Sequence, residues 1–478
     1  MSPASPGRPR PAPDRTLALP LVALLLLASG GSRAVGAPAA SPRSLVVLAT
    51  SDLKGKTSPC GCHVPKGGFA RIATYVDSVR SAGTPTLFLD AGGSFPERDG
   101  RADLAEFMLG SLVRLGTAAI GVGPRDLRHG VAFLRDLARR TGAPLTCANL
   151  ADRRTRAPVF PTSRVVDVGG VRVGVFALYG DRFELGPARD SLLVLDSENA
   201  AHAEVAALRA RGASVIVLLA QLGRVGGEDL VSAVPGVDAV VLAHDVPVYE
   251  KGRRVGGTVA SYAGDQGQHI GVITIQLGAG GAVGDVTCSV VPLGPEVKEQ
   301  PGMLAGVMAF EDAFNERMRR EERSAAVADG DSDPVDHFVG ESVCARCHTP
   351  ESEQWRTTAH SLAWETLIRV KKDATPECIP CHVVGFRQPG GFETAARTPH
   401  RVNVQCENCH GMGTEHGEGW LARKQVNEAT CRTCHNQERD PEFDYLAKLP
   451  LIVHGNSSGE SIRIVKARRE RGYGGDGR

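Results

Sequence analysis

Short apolar runs alternate with amphipathic helical patterns between residues 44 and 293. Strands are predicted at residues 45–48, 86–89, 118–122, 173–178, 215–219 and 239–242, and helices at 68–81 and 104–115. Glycine or polar residues bound each apolar run, which is typical of buried strands in an α/β fold. Two further runs, 269–277 and 282–291, predict a closing hairpin across 278–281. The pattern predicts an α/β sandwich in which many strands pair in parallel.

The pattern changes after residue 300. Residues 301–326 predict one amphipathic helix, and its charges are typical of a solvated face: Glu311, Glu316, Arg317, Arg319, Arg320, Glu321 and Arg323. An acidic stretch with Gly, Ser and Pro at 329–336 predicts a linker. Beyond residue 456 the chain is polar, basic and rich in glycine, which predicts a flexible tail.

The first residues have the layout of a secretory signal peptide. Arg8, Arg10 and Arg15 precede an apolar run at 17–28, and small residues at 35–37 offer a cleavage site. The run is shorter than a membrane-spanning helix, and no other stretch predicts a span. We therefore expect an exported chain with no membrane span after cleavage. Its predicted parts are a signal peptide (1–37), a first domain (44–295), a charged helix and linker (296–335), a second domain (336–456) and a tail (457–478).

A Cys-x-x-Cys-His pattern occurs four times in the second domain. Its cysteines are Cys344 and Cys347, Cys378 and Cys381, Cys406 and Cys409, and Cys431 and Cys434; its histidines are His348, His382, His410 and His435. This is the attachment signature of c-type haem, in which two thiols add to the porphyrin vinyl groups and the histidine ligates iron. Paired cysteines also bind zinc, but zinc requires no histidine directly after the second cysteine. The four motifs predict four covalent haems c with proximal histidine ligands.

Surplus histidines predict the second axial ligands. Nine of the 14 histidines fall between residues 337 and 454, and five of these lie outside the motifs: His337, His360, His400, His416 and His454. Methionine is the other common second ligand. Met412 follows His410 by only two residues. It is therefore expected on the proximal side of the haem of the third motif, where it cannot be the second ligand. The surplus therefore predicts bis-histidine ligation for most haems.

The stretch 343–454 resembles the multihaem cytochromes c typified by the tetrahaem cytochrome of nitrifying bacteria. The matching residues are Trp355, His360 and Ala363 after the first motif, 385–386 and 390–392 after the second, 416–417 after the third, and 441–443 with 452–454 after the fourth. The resemblance implies a mainly helical and irregular domain with haems packed within tunnelling distance. It implies His360, His416 and His454 as distal ligands. His337 and His400 match less closely, so a five-coordinate haem stays an open alternative.

Net charge and cysteine usage limit the possible binding partners and the cellular compartment. The net charge is +1 at pH 7, which argues against nucleic acid because its binders carry a basic excess. Eight of the 12 cysteines belong to the motifs, which leaves Cys60, Cys62, Cys147 and Cys288. Bacteria attach c-type haem outside the cytoplasmic membrane, so the motifs and the signal peptide predict the same compartment, the periplasm.

The first domain resembles the calcineurin-like metallophosphoesterases, particularly the secreted 5′-nucleotidases. The resemblance rests on 50–52 (Thr-Ser-Asp), 67–71 (Gly-Gly-Phe-Ala-Arg), 89–92, 148–150 and 264–271. It implies a four-layer α/β sandwich. It also implies two divalent metals at the strand ends, which activate water and clamp phosphate.

Most ligands of that metal pair are replaced. Lys54 stands for a histidine of the opening Asp-x-His, Gly93 for the bridging aspartate, and Gln221 for a later histidine. The Gly-Asn-His of the family is 123–125 (Gly-Pro-Arg), and the last histidine of Gly-His-x-His is Val246. Only Asp52 and His244 persist, and two ligands cannot hold two metals. The sequence predicts that the fold is kept and the dinuclear chemistry lost.

A Cys-Gly-Cys-His loop follows Asp52. Cys60 and Cys62 could form a redox dithiol, or bind one soft metal ion with His63 or His244. A small structural disulfide and inert thiols are the alternatives. The loop resembles that of a redox-related branch of exported nucleotidase-like proteins. Cys147 is predicted at a strand end on the same sheet edge, and Cys288 as a buried apolar residue.

Three function classes follow. The favoured one is a periplasmic electron-transfer protein with redox partner proteins and an unidentified small-molecule substrate, whose first domain carries a thiol site or binds a partner. The first alternative is a metal-dependent phosphoesterase tethered to a cytochrome. The second is a first domain that serves only as a docking module for the haems.

Overall fold

The computed structural model describes residues 43–59, 64–96, 101–278, 281–325, 337–414, 426–437, 439–440 and 442–455. These residues belong to one compact unit, Pro42–Arg478. The predicted signal peptide, the linker 329–336, the tail, the loop residues Cys60, Cys62 and His63, and His416 lie outside the described residues. In the described ranges, no helix has the length and apolar character needed to cross a bilayer.

The first domain consists of two main sheets and flanking helices. Its strands are β1 (Arg43–Thr50), β2 (Thr86–Asp90), β3 (Ala119–Ile120), β4 (Leu150–Asp152), β5 (Ser163–Val168), β6 (Val171–Tyr179), β7 (Leu192–Val194), β8 (Val215–Gln221), β9 (Ala239–Ala243), β10 (Arg253–Val255), β11 (Thr258–Ser261), β12 (His269–Leu277) and β13 (Val283–Pro292). Its helices are α1 (Phe69–Ser81), α2 (Ala102–Arg114), α3 (Gly130–Thr141), α4 (Ser197–Ala210) and α5 (Gly223–Ala233).

The central strands pair in parallel, as predicted. One sheet has the order β13-β12-β1-β2-β3 and the other β10-β11-β9-β8-β6-β5, while β4 and β7 form a separate pair. In the first sheet β1 pairs in parallel with β2, and β2 with β3. In the second sheet β6, β8, β9 and β11 pair in parallel, each with the next. Strand β8 is buried along its whole length, which is why its residues 215–220 form an uninterrupted apolar run before Gln221.

Alternating side chains of β1 divide the domain into layers. Leu45 and Val47 lie in an apolar cluster between the two sheets. Val46 and Leu48 face the opposite way, into a cluster with α1, α2 and α3, because successive side chains of a strand point to opposite faces. A third cluster joins α4 and α5 to the outer face of the second sheet. The order is helix, sheet, sheet, helix, which confirms the four-layer sandwich.

Helix α6 (Pro301–Ala325) packs between the first domain and the chain that follows it. Phe310 stacks on Phe107 of α2 with ring centres 4.2 Å apart. The Arg101 guanidinium lies 3.4 Å above the Phe314 ring. Glu311 is 1% exposed. The predicted helix is confirmed, but the prediction of a solvated charged face was wrong for Glu311, because that side chain faces the boundary with the second domain.

The second domain has short helices joined by turns. They are α7 (Glu341–Cys344), α8 (Thr349–Trp355), α9 (Ala363–Arg369), α10 (Cys406–His410), α11 (Glu428–Arg432) and α12 (Tyr445–Lys448). The apolar cluster is small: Trp364, Leu367, Ile379, Val383 and Phe392. Gly385 packs so closely on Phe338 that a Cβ there would lie 2.3 Å from the ring. The mainly helical and irregular character predicted for this part is confirmed.

Candidate haem segment and strand-end site

The first and fourth Cys-x-x-Cys-His motifs each fold as a single helical turn. The amide of His348 donates to the Cys344 carbonyl at 3.0 Å, and that of His435 donates to the Cys431 carbonyl at 2.9 Å. Residues i and i+4 lie on the same face of such a turn. In these two motifs the first cysteine and the histidine are therefore held side by side, as attachment to one porphyrin requires. In the second motif the His382 amide donates to the Ile379 carbonyl instead, at 2.8 Å.

Three candidate iron ligands are fixed through Nδ1. The Nδ1 of His382 lies 2.6 Å from the Ala363 carbonyl, and that of His435 lies 2.7 Å from Asp440 Oδ2. The Nδ1 of His454 lies 3.1 Å from Gln354 Oε1. A partner at Nδ1 fixes the tautomer and leaves Nε2 for a metal. These side chains fit iron ligation through Nε2.

Two predicted distal histidines face proximal ones. The ring centres of His360 and His435 are 6.2 Å apart with 42° between the planes. Those of His410 and His454 are 6.1 Å apart with 18° between the planes. A ligating imidazole nitrogen lies about 2.0 Å from its metal, so the ring centres of two axial imidazoles on one iron are about 6 Å apart. The spacing fits one iron between each pair.

The other distal candidates lie elsewhere. His337 is tied through its backbone, since its amide donates to Thr414 Oγ1 and its carbonyl accepts from the same hydroxyl, both at 3.0 Å. His400 is exposed in a turn at Pro399–Arg401. His416 is outside the described residues. Their assignment as ligands stays a prediction.

The motifs adjoin in two pairs. The thiols of Cys344 and Cys406 lie within hydrogen-bonding reach, and so do those of Cys381 and Cys434. The first motif therefore neighbours the third, and the second neighbours the fourth. This segment also exposes large apolar side chains, of which Leu446 is the most exposed at 77%. Apolar surface of this kind fits contact with porphyrin faces.

A second site lies at the carboxyl ends of the parallel strands. Asp52 follows β1, Gln221 ends β8, and His244 follows β9. The Gln221 Nε2 donates to Asp52 Oδ1 at 3.2 Å, and the His244 amide donates to Oδ2 at 2.6 Å. Burial raises the pKa of Asp52 to about 7, although these hydrogen bonds act in the opposite direction.

Lys54 brings a fixed positive charge to this site. Its Nζ lies 2.6 Å from Asp245 Oδ1 and 2.7 Å from Asp265 Oδ2, and its side chain is 9% exposed. Burial acts to lower the pKa of Lys54, but the two carboxylates outweigh burial and raise it. The ammonium is therefore retained as a cation among carboxylates.

The remaining carboxylates of the strand ends point away from a shared metal position. Asp126 accepts four backbone N–H groups, from residues 93–95 and from Gly123, at 2.7–3.3 Å. Asp90 accepts from the Thr50 hydroxyl at 2.6 Å and the Gly92 amide at 2.9 Å. The His244 ring packs on Phe183 with ring centres 3.6 Å apart.

Across the ranges that the structure describes, no group of three or more His, Cys, Asp or Glu side chains is placed to hold a metal ion. Cys147 is fully buried, and burial raises the pKa of its thiol to about 12. Its Sγ lies 3.5 Å from Asn149 Oδ1, on the β3 side of the sheet edge. The prediction that Cys147 ends a strand was wrong, because no strand contains it. Cys288 is half-buried in β13 rather than fully buried.

Backbone strain is concentrated at the strand ends. Five of the nine non-glycine residues with positive φ in the described chain meet here: Asp52, Lys54, His244, Asp245 and Gln266. Such conformations persist where the surrounding structure enforces them, and they cluster at functional sites. The sequence carries no signal for this feature, because none of these residues is a glycine.

Described residues on both sides of Cys60 and Cys62 contact the second domain. Before the pair, the Thr57 hydroxyl donates to Glu311 Oε1 at 2.7 Å, and Lys372 Nζ bonds both Thr57 and Glu311. After the pair, Lys66 Nζ lies 3.7 Å from Glu442 Oε1. Both flanks are therefore attached to the segment that carries the motifs, next to the second and the fourth.

The Gly-Gly-Phe-Ala-Arg stretch supports the same loop. Arg71 Nη1 donates to the Pro65 carbonyl at 2.5 Å and to the Leu293 carbonyl at 3.2 Å. Gly67 has a φ of 80°, and a Cβ there would lie 2.6 Å from the Gly267 carbonyl oxygen. Close approach explains this glycine, and the buried arginine holds the returning end of the loop.

Comparison with known proteins separates the same two parts. Residues 343–411 match the family "Cytochrome c554 and c-prime". Cytochrome c-554 of Nitrosomonas europaea is 36% identical over 91 residues, which is 16% of this chain and 39% of that protein. The 5′-nucleotidase of Mus musculus is 30% identical over 227 residues, or 43% of this chain and 38% of that protein. The chain joins a 5′-nucleotidase-like domain to a cytochrome c554-like segment.

The fold of the nucleotidase-like domain is that of solved phosphoesterases. A calcineurin-like phosphoesterase of Bacillus subtilis, YfkN, superposes with a TM-score of 0.51 at 18% identity, covering 58% of this chain and 99% of that one. The chain spans about two fifths of the length of the curated relatives it matches. For the cytochrome segment, the family match implies covalently bound haem c.

Proposed function

We propose that this protein is an exported tetrahaem electron-transfer protein whose nucleotidase-like domain carries a thiol site in place of a metal centre. The observation that supports the haem assignment best is the pair of histidine spacings, 6.2 Å for His360 and His435 and 6.1 Å for His410 and His454. Both fit two imidazoles on one iron. Bound haem supplies one-electron oxidation and reduction, and the described histidines hold and orient it.

The haem count tests this proposal. The mature holoprotein should contain four haems per chain by pyridine haemochrome assay combined with intact mass. Replacing Cys409 by serine should remove a covalent attachment, whereas Cys147→Ser, which lies outside every motif, should not. Two haems or fewer in the unmodified protein would refute the assignment.

We place the protein in the periplasm, with redox proteins of that compartment as partners. The signal-peptide pattern at 1–37 and the attachment chemistry of c-type haem support this location. Cell fractionation and N-terminal sequencing should find a haem-loaded chain that begins after residue 37 in the periplasmic fraction. A haem-loaded chain that keeps its first 37 residues in the cytoplasm would contradict the proposal.

Lys54 and Gly93 support the loss of dinuclear phosphoesterase chemistry. The first supplies an ammonium where the family has a histidine, and the second removes the bridging carboxylate. Asp52 keeps its position, but its oxygens are engaged by Gln221 and by the His244 amide. The strand-end site therefore holds itself together by hydrogen bonds and ion pairs rather than by metals.

The thiol site is the Cys60 and Cys62 pair. Oxidation of the two thiols to a disulfide releases two protons and two electrons, which two one-electron haem acceptors can take. Thr57 and Lys66, which flank the pair along the chain, contact the cytochrome segment, and these contacts support the proposal. A bridge across a single residue is strained, and strained disulfides are the more easily reduced ones.

Thiol trapping at controlled potential tests the thiol site. In the unmodified holoprotein the Cys60 and Cys62 thiols should be oxidised over the same potential range as the haems. The Cys62→Ser variant should lack the two-electron step. Cys147→Ser provides a control in which a buried thiol is lost. If Cys60 and Cys62 stay unreactive across the haem potential range, the domain serves as a docking module instead.

A further inference from the structure

The second and fourth motifs form a neighbouring pair with unlike surroundings. Cys381 of the second and Cys434 of the fourth lie within hydrogen-bonding reach of each other. Haems attached at these cysteines would therefore be neighbours. An electron shared between the two motifs will settle at the one with the higher reduction potential, so the charges on each side decide where it resides.

The proximal histidine of the fourth motif has a carboxylate partner. The Nδ1 of His435 lies 2.7 Å from Asp440 Oδ2, and the Asp440 side chain is only 12% exposed. The amides of residues 439 and 440 donate to the Asn436 carbonyl, at 3.1 and 2.8 Å, and form the turn that brings Asp440 back to the ring. The ring of Phe443 stacks on His435 at 4.5 Å and fixes its plane. The local fold therefore positions the Asp440 carboxylate against the His435 ring.

The proximal histidine of the second motif has neutral partners. The Nδ1 of His382 lies 2.6 Å from the Ala363 carbonyl and 3.2 Å from the Thr366 hydroxyl. A carboxylate at Nδ1 makes an imidazole a more basic and more negative ligand than a carbonyl does. Negative charge on the ligand stabilises Fe(III) over Fe(II), which lowers the reduction potential.

Positive charge surrounds the second motif. Burial raises the pKa of the Cys378 thiol, while the charges of Lys372, Arg439 and Lys56 act to lower it. The negative charge of Glu377 acts against these cations. Part of the positive charge of Lys372 is neutralised by its ion pair with buried Glu311. Nearby cations stabilise Fe(II) over Fe(III), but the fourth motif also has one, since Arg432 Nη1 donates to the His435 carbonyl at 3.5 Å. Cations therefore flank both motifs, and the difference between them rests on the partners of His382 and His435.

We propose that Asp440 is a positioning residue that sets the fourth motif at a lower reduction potential than the second. At equilibrium a reducing equivalent shared by the pair then resides at the second motif, beside the nucleotidase-like domain. The inference rests on the proposed tetrahaem function. It adds the order of two potentials and the residue that sets that order.

Potentiometric titration of the holoprotein, followed optically and by electron paramagnetic resonance, tests the proposal. Asp440→Asn keeps an acceptor for His435 Nδ1 and removes the charge, so one of the four potentials should shift in the positive direction. The low-spin signal lost in His360→Ala identifies the fourth motif. The matched control is Asp444→Asn, since Asp444 caps α12 by accepting from the Ala447 amide and lies on no histidine.

The outcomes separate this inference from the proposed function. A chain with fewer than four haems refutes the tetrahaem assignment. Four haems with unchanged potentials in Asp440→Asn overturn the role of Asp440, and so does an equal shift in Asp444→Asn. If Asp440→Asn loses haem, the unmodified holoprotein decides: the haem identified through His360→Ala should titrate at a lower potential than the haem identified through His382→Ala, and the reverse order overturns the proposal.

Discussion

The ion pair between Lys372 and Glu311 joins the two domains, and its removal should uncouple their unfolding. Glu311 is 1% exposed, and its Oε1 accepts from Lys372 and Thr57. Among the described residues its Oε2 has no hydrogen-bond partner. In Lys372→Met the apolar stem is largely kept and the ammonium is lost. A buried carboxylate then has only the Thr57 hydroxyl as a partner.

The expected cost follows from burial. Removing one partner of a fully buried pair costs about 3–5 kcal/mol. The Lys372 side chain is 18% exposed, so water already screens part of the interaction, and we expect about 2–3 kcal/mol. The control is Lys371→Met, which breaks the pair of Lys371 with Asp312, whose side chains are 33% and 57% exposed. That change should cost less than about 1 kcal/mol.

The assay is denaturant unfolding of the holoprotein with two probes. Soret absorbance reports the cytochrome segment, and far-ultraviolet circular dichroism is dominated by the nucleotidase-like domain. In Lys372→Met the two transitions should separate further than in the unmodified protein, which is the test for loss of cooperativity. Glu311→Gln added to Lys372→Met should recover part of the loss, because the unpaired charge is gone. Equal midpoints for Lys372→Met and Lys371→Met would refute the reasoning.

Three further predictions concern ligation, pH and metals. Replacing His360 or His454 by alanine should each convert about one haem from low spin to high spin; spectra that stay fully low-spin in both variants would contradict the pairing. Burial raises the pKa of Asp90 from 3.8 to about 7, so the folded form binds that proton more tightly and stability should fall as pH rises through this range. Asp90→Asn should flatten the decline in unfolding midpoints measured against pH. Added Mn²⁺, Co²⁺ or Zn²⁺ should give no hydrolysis of a nucleoside monophosphate, and metal-dependent turnover abolished by Asp52→Ala would overturn this.

Central strands could be predicted from the sequence and edge strands could not. Val215–Gln221 is buried at every position, so its apolar run, 215–220, is continuous. Arg253–Val255 is short, charged and mostly exposed, and it is a strand only because it pairs with Thr258–Ser261. Edge strands of this kind depend on a partner that local sequence does not reveal.

The haem motifs could be predicted because covalent attachment requires a contiguous spacing. The residues that fix the histidines could not be predicted, because they depend on the tertiary fold. Gln354 lies 100 positions from His454, and Asp440 is one acidic residue among many near the fourth motif. The buried role of Glu311 was missed for the same reason, since a charged helix gives no indication of which charge faces a neighbour.

A side chain at position 93 would collide with Asp52. The backbone of Gly93 has a φ of 75°, and a Cβ there would lie 2.2 Å from Asp52 Oδ1. Asp52 would have to move first, yet Gln221 and the His244 amide hold it in place. A side chain at position 93 therefore requires Asp52 to give up these hydrogen bonds. Positions 93 and 221 are coupled through Asp52, so we expect substitutions at the two positions to have non-additive effects on stability.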